Sequence, residues 1–380
     1  MAVGVIAEFN PFHNGHKYLL ETAKHNTQKC VVVIMSGTFI QRGGIAVTDK
    51  LTRTKASLNN GADLVLELPV VFSHNTAQKF AMGAVATLKA TGVIDTLAFG
   101  SESADVSGLI NGADILANEP QEVSLKIQEL MGQGISYPVA RQKSYTDYFD
   151  TSLLSTPNDI LALEYLRACK ILNADFTPLP IKRQGVDHDS KKVTKTIASA
   201  TEIRRMLTEE DDVSSFIPSY EFDIYDEKRL DTAIISNLRL ISADRLSDIN
   251  EVSEGLENKF ITAAREVSDV NNLCMAVKSK RYTLSRIRRI AYSSLIGLTK
   301  ELGNMSPTYI RVLGANKNGR MLLREMKEKA TLPIVTKPAD FKGDAIFDFN
   351  SKAEDVFSLC GCDTRAGSDL RMTPIMMDEV

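Results

Sequence analysis

Short, continuous apolar runs alternate with helical patterns along the first half of the chain. The runs occupy Ala2–Ala7, Val31–Met35, Leu64–Leu68, Thr96–Phe99 and Leu179–Ile181. Runs of this length without polar alternation are typical of parallel strands that are covered on both faces. Between the runs, apolar residues recur at the i, i+3, i+4, i+7 spacing of an amphipathic helix. Strands and helices in alternation predict an α/β fold with a Rossmann-like, doubly wound parallel sheet.

The pattern changes after about Leu207, where strand-like runs become scarce. Helical periodicity is clearest in Leu256–Val267 and Leu284–Leu298, and one short strand-like run follows at Leu332–Thr336. We therefore expect an α/β domain over residues 1–210 and a mainly α-helical part over 211–330. Residues 331–380 are expected to form a small C-terminal segment whose end, from Gly367, is loose and partly disordered.

The composition is that of a globular protein. Of the 380 residues, 43% are hydrophobic and 24% are charged, which excludes wholesale disorder. No apolar run is long enough for a membrane helix, and no cationic leader precedes the first apolar run as in a signal peptide. The five cysteines are scattered and no Cys/His set has zinc-site spacing. We expect free thiols, no bound structural metal and a cytoplasmic location.

The charge is strongly divided along the second half of the chain. The formal net charge of −3 argues mildly against nucleic acid. Residues 208–257, however, hold fourteen acids and four bases, whereas residues 278–330 hold thirteen bases and three acids. The two segments carry −10 and +10, so the regional charges permit a nucleic-acid partner that the total conceals.

The strongest chemical signal lies directly after the first predicted strand. His13-Asn14-Gly15-His16 lies between that strand and a predicted helix from Lys17 to Lys24. A loop between strand and helix at the carboxyl end of a sheet is a common phosphate site, because the helix dipole favours an anion there. Two imidazoles around a glycine can donate hydrogen bonds to charge that develops on a phosphate.

A second motif follows the fifth predicted strand. Ser199, Thr201 and Arg204 have the spacing S-x-T-x-x-R at the start of a predicted helix. With the H-x-G-H motif before it, this pair resembles the signature of the nucleotidyltransferase superfamily. Longer strings narrow the resemblance to the tRNA(Met) cytidine acetate ligase family: EFNPFHNGH (8–16), MSGTFIQRG (35–43), DKLTRTKASLNNGADLVLELP (49–69), FGSE (99–102), STPNDILALEYL (155–166) and SATEIR (199–204).

The resemblance covers most of residues 1–207 and implies an activity. Members of that family activate acetate with ATP as acetyl-adenylate, and then acetylate the N4 amine of the wobble cytidine of elongator tRNA(Met). They need no acetyl-CoA. The resemblance thus implies an ATP-binding domain over 1–210 and a tRNA-binding helical domain over 211–330, with Mg²⁺ held mainly by the ATP phosphates.

Site residues follow from the same resemblance. The catalytic residues are expected to be His13 and His16. The expected ATP-binding residues are Ile6, Ala7, Glu8, Phe9, Asn10, Pro11, Phe12, His13, Asn14, Gly15, His16, Lys17, Tyr18, Leu19, Gly100, Asn158, Arg183, Ser199, Thr201 and Arg204. The stretch after the second strand is a candidate lining of a small acetate or phosphate pocket, through Ser36, Gly37 and Arg42.

The basic segment before and within the Leu284–Leu298 helix is the candidate tRNA surface. Its arginines lie off the apolar line of that helix, so they are expected on solvent faces that contact phosphates. Tyr282 and Tyr309 are candidates for stacking on unpaired bases. The expected tRNA-binding residues are Lys278, Lys280, Arg281, Arg286, Arg288 and Arg289.

Three other functions remain as alternatives. A different nucleotidyltransferase that adenylates a small phosphorylated metabolite would share both motifs but need no basic helical domain. A nucleotide-gated RNA-binding protein without catalysis would have no use for both histidines. An aminoacyl-tRNA synthetase fragment is disfavoured, because Lys191–Lys195 is a poor match to the lysine loop of those enzymes.

Overall fold

The computed structural model describes residues 1–183, 196–218 and 221–378. Lys191–Lys195, which we compared with a synthetase lysine loop, lies outside these residues. Within the described part, no helix is both long enough and apolar enough to cross a membrane.

One eight-stranded sheet forms the centre of the molecule, in the order β5-β4-β1-β2-β3-β6-β7, with β8 paired to β6. Strands β1 to β5 are parallel, whereas β6 is antiparallel to β3. The strands are β1 (Ala2–Ala7), β2 (Val31–Ser36), β3 (Leu64–Leu68), β4 (Ile94–Ser101), β5 (Thr177–Lys182), β6 (Ile310–Ala315), β7 (Ile334–Val335) and β8 (Ile375–Met376).

The helices cover both faces of this sheet. Those of the first half are α1 (Asn14–Thr27), α2 (Lys50–Leu58), α3 (Val70–Ser73), α4 (Ala77–Ala90), α5 (Val106–Ala117), α6 (Gln121–Gly132), α7 (Tyr137–Ser144), α8 (Pro157–Leu172) and α9 (Ala200–Thr208). Those of the second half are α10 (Asp231–Leu240), α11 (Ala243–Ser247), α12 (Leu256–Glu266), α13 (Val270–Val277), α14 (Leu284–Ile296), α15 (Lys300–Gly303), α16 (Lys317–Lys329), α17 (Ala345–Ser358) and α18 (Ser368–Arg371).

The apolar runs form the predicted strands because both of their faces are buried. Val32 and Ile34 point into one core cluster, while Val31 and Val33 point into the cluster on the opposite face. All five predicted strands are present, and the predicted α/β class is confirmed. The helix after H-x-G-H begins earlier than expected, at Asn14, because His13 itself is its N-cap.

The sheet extends past the boundary that we placed near residue 210. Strand β6 lies within the expected helical part, yet Leu64 and Ala315 face each other in its ladder with β3. The larger core cluster is also continuous between the two parts, since it includes Ile34 and Phe39 together with Ile290 and Tyr292. The helical part therefore packs directly against the α/β part.

The described part of the terminus after Gly367 is held in place, in contrast to the loose end that we expected. Strand β8 pairs with Gly314 and Ala315 of β6. In α18, Asp369 is fully buried and accepts hydrogen bonds from Lys50 at 2.5 Å and from Arg311 at 2.7 Å. The sequence does not indicate this anchoring, because Lys50 and Arg311 are 319 and 58 positions away from Asp369.

The chain crosses the sheet after β3, so β1 has β2 on one side and β4 on the other. Loops at the carboxyl ends of β1 and β4 consequently diverge and leave a crevice between them. This is the position at which open α/β sheets bind ligands.

Candidate active site

A cavity of about 530 Å³ lies at this crevice. Fifteen of the expected ATP-binding residues line it: Ile6, Ala7, Glu8, Phe9, Asn10, His13, Gly15, His16, Tyr18, Leu19, Gly100, Asn158, Arg183, Ser199 and Arg204. The other five are not part of its lining: Pro11, Phe12, Asn14, Lys17 and Thr201. Phe12 is buried under the loop, Lys17 pairs with Glu21, and Asn14 ties the loop to the carbonyl groups of Thr196 and Ser215.

The two motif histidines stack on each other at the start of α1. Their ring centroids are 3.6 Å apart and the planes are inclined by 22°. Gly15 is required between them, because a Cβ there would lie 2.9 Å from Cε1 of the His13 ring. Phe9 and Phe12 contact the His16 ring and hold it from below. The rings therefore form one rigid unit at the cavity wall.

Backbone hydrogen bonds set the tautomer of both rings. Gly15 N donates to Nδ1 of His13 at 3.0 Å, and His13 N donates to Nδ1 of His16 at 3.3 Å. A ring nitrogen that accepts from a backbone N–H carries no proton, so each neutral imidazole has its proton on Nε2. Of the first amides of α1, Asn14 N donates to the Phe216 carbonyl oxygen and Gly15 N donates to the His13 ring, so each neutral ring has Nε2–H as its donor.

The second motif approaches the first from α9. Ser199 caps this helix by accepting a hydrogen bond from Glu202 N at 3.1 Å. Arg204 donates from Nη1 to the carbonyl oxygen of Asn10 at 2.6 Å and from Nη2 to Thr201 Oγ1 at 3.3 Å. Thr201 does not line the cavity itself, but it orients Arg204, which does.

The end of β4 and the end of β5 supply a further wall. Gly100 faces the cavity, since a Cβ there would meet only Arg183 Cγ, at 3.7 Å. Across from it, the Asn158 amide nitrogen donates to Glu102 at 2.5 Å, and Glu102 also accepts from Asn158 N and Asp159 N at the start of α8. Glu102 thus occupies the α8 N-terminus and orients the Asn158 amide, a partner that the sequence did not indicate.

The three residues expected to line an acetate or phosphate pocket do not all lie at the cavity. Arg42 lines the cavity, but Ser36 and Gly37 do not. Their carbonyl oxygens instead accept hydrogen bonds from the buried Arg53, at 3.0 Å and 2.6 Å. A Cβ on Gly37 would lie 2.9 Å from Glu67 Oε1, so the glycine there serves close packing.

Glu8 is the one carboxylate among the described residues that line the cavity. Gln41 N donates to its Oε1 at 2.8 Å. Withdrawal from water raises the pKa of Glu8, while the Gln41 hydrogen bond and the charges of Arg204, Arg42 and Arg53 oppose that rise. The same lining contains five cationic side chains: Arg42, Lys182, Arg183, Arg204 and Arg289.

The helical part completes the cavity through Ser285 and Arg289 of α14. Arg289 forms a two-pronged pair with Glu251, at 2.5 Å and 2.7 Å, and donates to the Gln41 carbonyl oxygen at 2.7 Å. Arg288 donates to the Gly43 carbonyl oxygen at 3.0 Å and to Glu227. A Cβ at Gly43 would lie 2.5 Å from Arg288 Cβ, which shows how closely the loop and the helix pack.

His74 joins the same loop to α14 from below. Its Nδ1 lies 3.0 Å from the Ile40 carbonyl oxygen and its Nε2 lies 3.2 Å from that of Arg289. Burial, together with the charge of Arg289, lowers the pKa of His74 to about 4. The neutral ring donates to one of these carbonyl groups and packs against the other.

We predicted that the basic residues of α14 are exposed to solvent. This prediction is wrong for Arg289, which is 7% exposed. Arg286 is also engaged, because it donates to the carbonyl oxygen of Glu251 at 2.7 Å. Tyr309, a predicted stacking residue, is 1% exposed and buried in the core. Helical periodicity shows which residues lie outside the apolar face of a helix. It does not show whether another part of the protein packs against the polar face.

The three predicted cations that precede α14 lie on the surface. Lys278, Lys280 and Arg281 are exposed in the segment before α14, and Arg281 pairs with Glu254 at 3.0 Å. The basic helix α16 is elsewhere, because Asn316 at its start donates to the Asp63 carbonyl oxygen just before β3. That is the amino end of the parallel strands, opposite the cavity.

Comparison with known proteins gives a consistent result. A model described as HIGH Nucleotidyl Transferase matches residues 1–369. A tRNA(Met) cytidine acetate ligase of Thermoanaerobacter sp. (strain X514) is 38% identical over 380 residues, which covers 94% of each protein. One from Clostridium perfringens (strain ATCC 13124) is 34% identical and covers 98% of each.

Two solved structures agree with the whole architecture. The crystal structure of Thermotoga maritima TmcAL in its apo form has a TM-score of 0.91 and 33% identity, and the match covers both chains completely. The same protein bound with alpha-thio ATP has a TM-score of 0.90 and 32% identity, again with complete coverage.

Proposed function

The chain belongs to the HIGH nucleotidyl transferases and, within them, to the tRNA(Met) cytidine acetate ligases, and from this membership we propose its reaction. It activates acetate with ATP as acetyl-adenylate and transfers the acetyl group to the N4 amine of the wobble cytidine of elongator tRNA(Met). The observation that carries the proposal is the convergence of His13, His16 and Arg204 on one cationic cavity at the switch point of the sheet.

The cavity suits ATP before any chemistry is considered. Five cationic side chains and one carboxylate line it, which favours a polyanion. Gly100 leaves room for the nucleotide to approach β4, and the Nε2–H groups of His13 and His16 supply oriented donors. Among the described residues no group of three or more His, Cys, Asp or Glu side chains is placed to hold a metal, so the ATP phosphates would carry the Mg²⁺.

In the first half-reaction a carboxylate oxygen of acetate attacks the α-phosphorus and pyrophosphate leaves. The barrier lies mainly in positioning and in the charge that develops on the phosphoryl oxygens. We assign the stabilisation of that charge to His13, His16 and Arg204, and the approach of the anionic acetate to Arg42. The neutral tautomers of the histidines fit this task, since Nε2 enters the reaction as a donor.

In the second half-reaction the cytosine amine attacks the acetyl carbonyl carbon and AMP leaves. The mixed anhydride is already activated, so no protein nucleophile is needed. The cytidine must leave its anticodon stack to enter the cavity. We assign tRNA phosphate contacts to Lys278, Lys280 and Arg281, and we place the reaction in the cytoplasm, where ATP and tRNA occur together.

The test is incubation of the protein with ATP, ¹⁴C-acetate and tRNA(Met) without acetyl-CoA, followed by nucleoside analysis. Labelled N4-acetylcytidine is expected, together with acetate-dependent exchange of pyrophosphate into ATP. Exchange that instead depends on a phosphorylated metabolite would establish a different nucleotidyltransferase. Binding of tRNA without any exchange would establish an RNA-binding protein without catalysis.

A further inference from the structure

Glu8 is the sole acid among the described residues around the cavity, and its position is closely determined. It follows β1 directly, at the switch point. Its Oε1 accepts from Gln41 N at 2.8 Å, and its carbonyl oxygen accepts from Arg53 Nη1 at 2.9 Å. A carboxylate in the wall of a cavity for an anionic nucleotide opposes binding, so its presence there points to a use in the reaction.

The second half-reaction has a use for such a group. When the N4 nitrogen bonds to the acetyl carbon, the carbon–oxygen bond to AMP breaks and its electron pair stays with the phosphate. The nitrogen must also lose one proton, which no step of the proposed function has assigned. We infer that Glu8 is the catalytic residue that accepts this proton, an inference that rests on the proposed function.

The other titratable groups of the cavity are poor acceptors. Nε2 of His13 and of His16 already carries the ring proton, because both Nδ1 atoms accept from backbone amides. Lys182 donates to the Glu102 and Ser103 carbonyl oxygens, so its ammonium is held as a donor. Arginine stays protonated in proteins. Glu8 alone is left with a carboxylate oxygen that can take a proton.

The surroundings of Glu8 suit a base. Apolar walls from Phe80, Phe99 and Tyr165 enclose the same cavity and withdraw the carboxylate from water. This withdrawal raises the pKa of Glu8, which strengthens it as a base near neutral pH. The hydrogen bond from Gln41 N and the charges of Arg204 and Arg42 oppose this rise, because they favour the ionised carboxylate that accepts the proton.

The test separates the two half-reactions in Glu8→Gln. Glutamine keeps an acceptor oxygen for Gln41 N, so the loop retains its hydrogen bond, but it takes no proton at neutral pH. We expect transfer from synthetic acetyl-adenylate to tRNA(Met), without ATP, to slow by about 100-fold or more. Acetate-dependent pyrophosphate exchange is expected to fall by less than about tenfold, because that step consumes no base.

Glu21→Gln is the matched control, since it makes the same chemical change on an exposed face of α1. It should leave both rates unchanged. If Glu8→Gln transfers acetyl from acetyl-adenylate at the wild-type rate, or loses exchange as strongly as transfer, Glu8 is not the proton acceptor. A wild-type protein without acetate-dependent exchange would instead refute the proposed function, so the two failures are distinguishable.

Discussion

Arg53 donates a hydrogen bond to the carbonyl oxygen of Glu8 at 2.9 Å, although the two residues are 45 positions apart and lie on different elements. The same guanidinium holds the Ser36 and Gly37 carbonyl oxygens, so one fully buried side chain ties the end of β1 to the end of β2. The position of the Glu8 carboxylate therefore depends on a residue of α2 that never reaches the cavity.

Replacement of Arg53 by Met should destabilise the fold and the site together. Three carbonyl groups would lose their donor, at about 1–3 kcal/mol each, so we expect the free energy of unfolding to fall by at least ~3 kcal/mol. Arg53→Lys should retain part of the stability, because its ammonium group keeps the charge and can still donate to some of these carbonyl groups. Urea unfolding measures both, with the exposed Arg324→Met as control. A loss below about 1 kcal/mol in Arg53→Met would contradict this role.

Substitutions of His16 can test separately the hydrogen bond that Nδ1 accepts and the hydrogen bond that Nε2 donates. Asn at position 16 can accept from His13 N in place of Nδ1, but it is too short to supply the Nε2 donor. We expect acetate-dependent exchange to fall by about 10²–10³-fold in His16→Asn and in His16→Ala, and less in the longer His16→Gln. His25→Asn, at an exposed position of the same helix, should exchange normally. Wild-type exchange in His16→Asn would show that the donor is not needed.

Local patterns were enough to predict the elements that frame the site. The runs at β1 and β3 gave strand bounds that the structure reproduces, and the H-x-G-H motif identified the loop at the switch point. Each depends on neighbouring residues: side chains buried on both faces of a strand, and a helix start after it. Such signals are present in a few consecutive residues.

The parts that escaped prediction are pairings across long stretches of chain. Arg53 and Lys50 look like surface cations of an amphipathic helix, yet both are fully buried and bonded to distant partners. Strand β6 was not predicted, because Ile310–Ala315 lies within a basic segment that we expected to be helical. Its strand structure depends on pairing with β3, which is distant in sequence. Burial of a charge depends on its partner, and the sequence does not state which residues meet.

The exposed basic segment before α14 should bind tRNA, whereas the arginines of α14 itself should stabilise the domain contact. Reversal of Lys278, Lys280 and Arg281 to Glu is expected to weaken tRNA binding more than about tenfold at 0.1 M salt and to lower the salt slope. Exchange without tRNA should stay within about twofold. Filter binding over a salt series measures the effect.

A matched control reverses Lys317, Arg324 and Lys327 on α16, at the opposite end of the sheet. It makes the same change in net charge and should leave tRNA binding intact. Equal weakening by both triple variants would show that only the total charge matters. That outcome would contradict a docking surface beside the cavity.

Ionisation of Glu354 should lower the free energy of unfolding as the pH rises. It is 4% exposed beside Lys50, Asp369 and Glu67, with Arg311 behind them, so three carboxylates face two cations. Burial and its acidic neighbours raise the pKa of Glu354 to about 7 from its ordinary 4.5. The folded state therefore holds the proton more tightly than the unfolded state. The stability that this proton contributes is fully present below pH 4.5 and is lost as the pH rises through 7.

Glu354→Gln stays neutral and should be more stable than wild type at pH 8 by up to about 3 kcal/mol, with little difference at pH 5. Urea unfolding at both pH values measures this difference, with Glu21→Gln as control. A Glu354→Gln variant that is less stable than wild type at pH 8 would show that the pairing with Lys50 outweighs the excess negative charge.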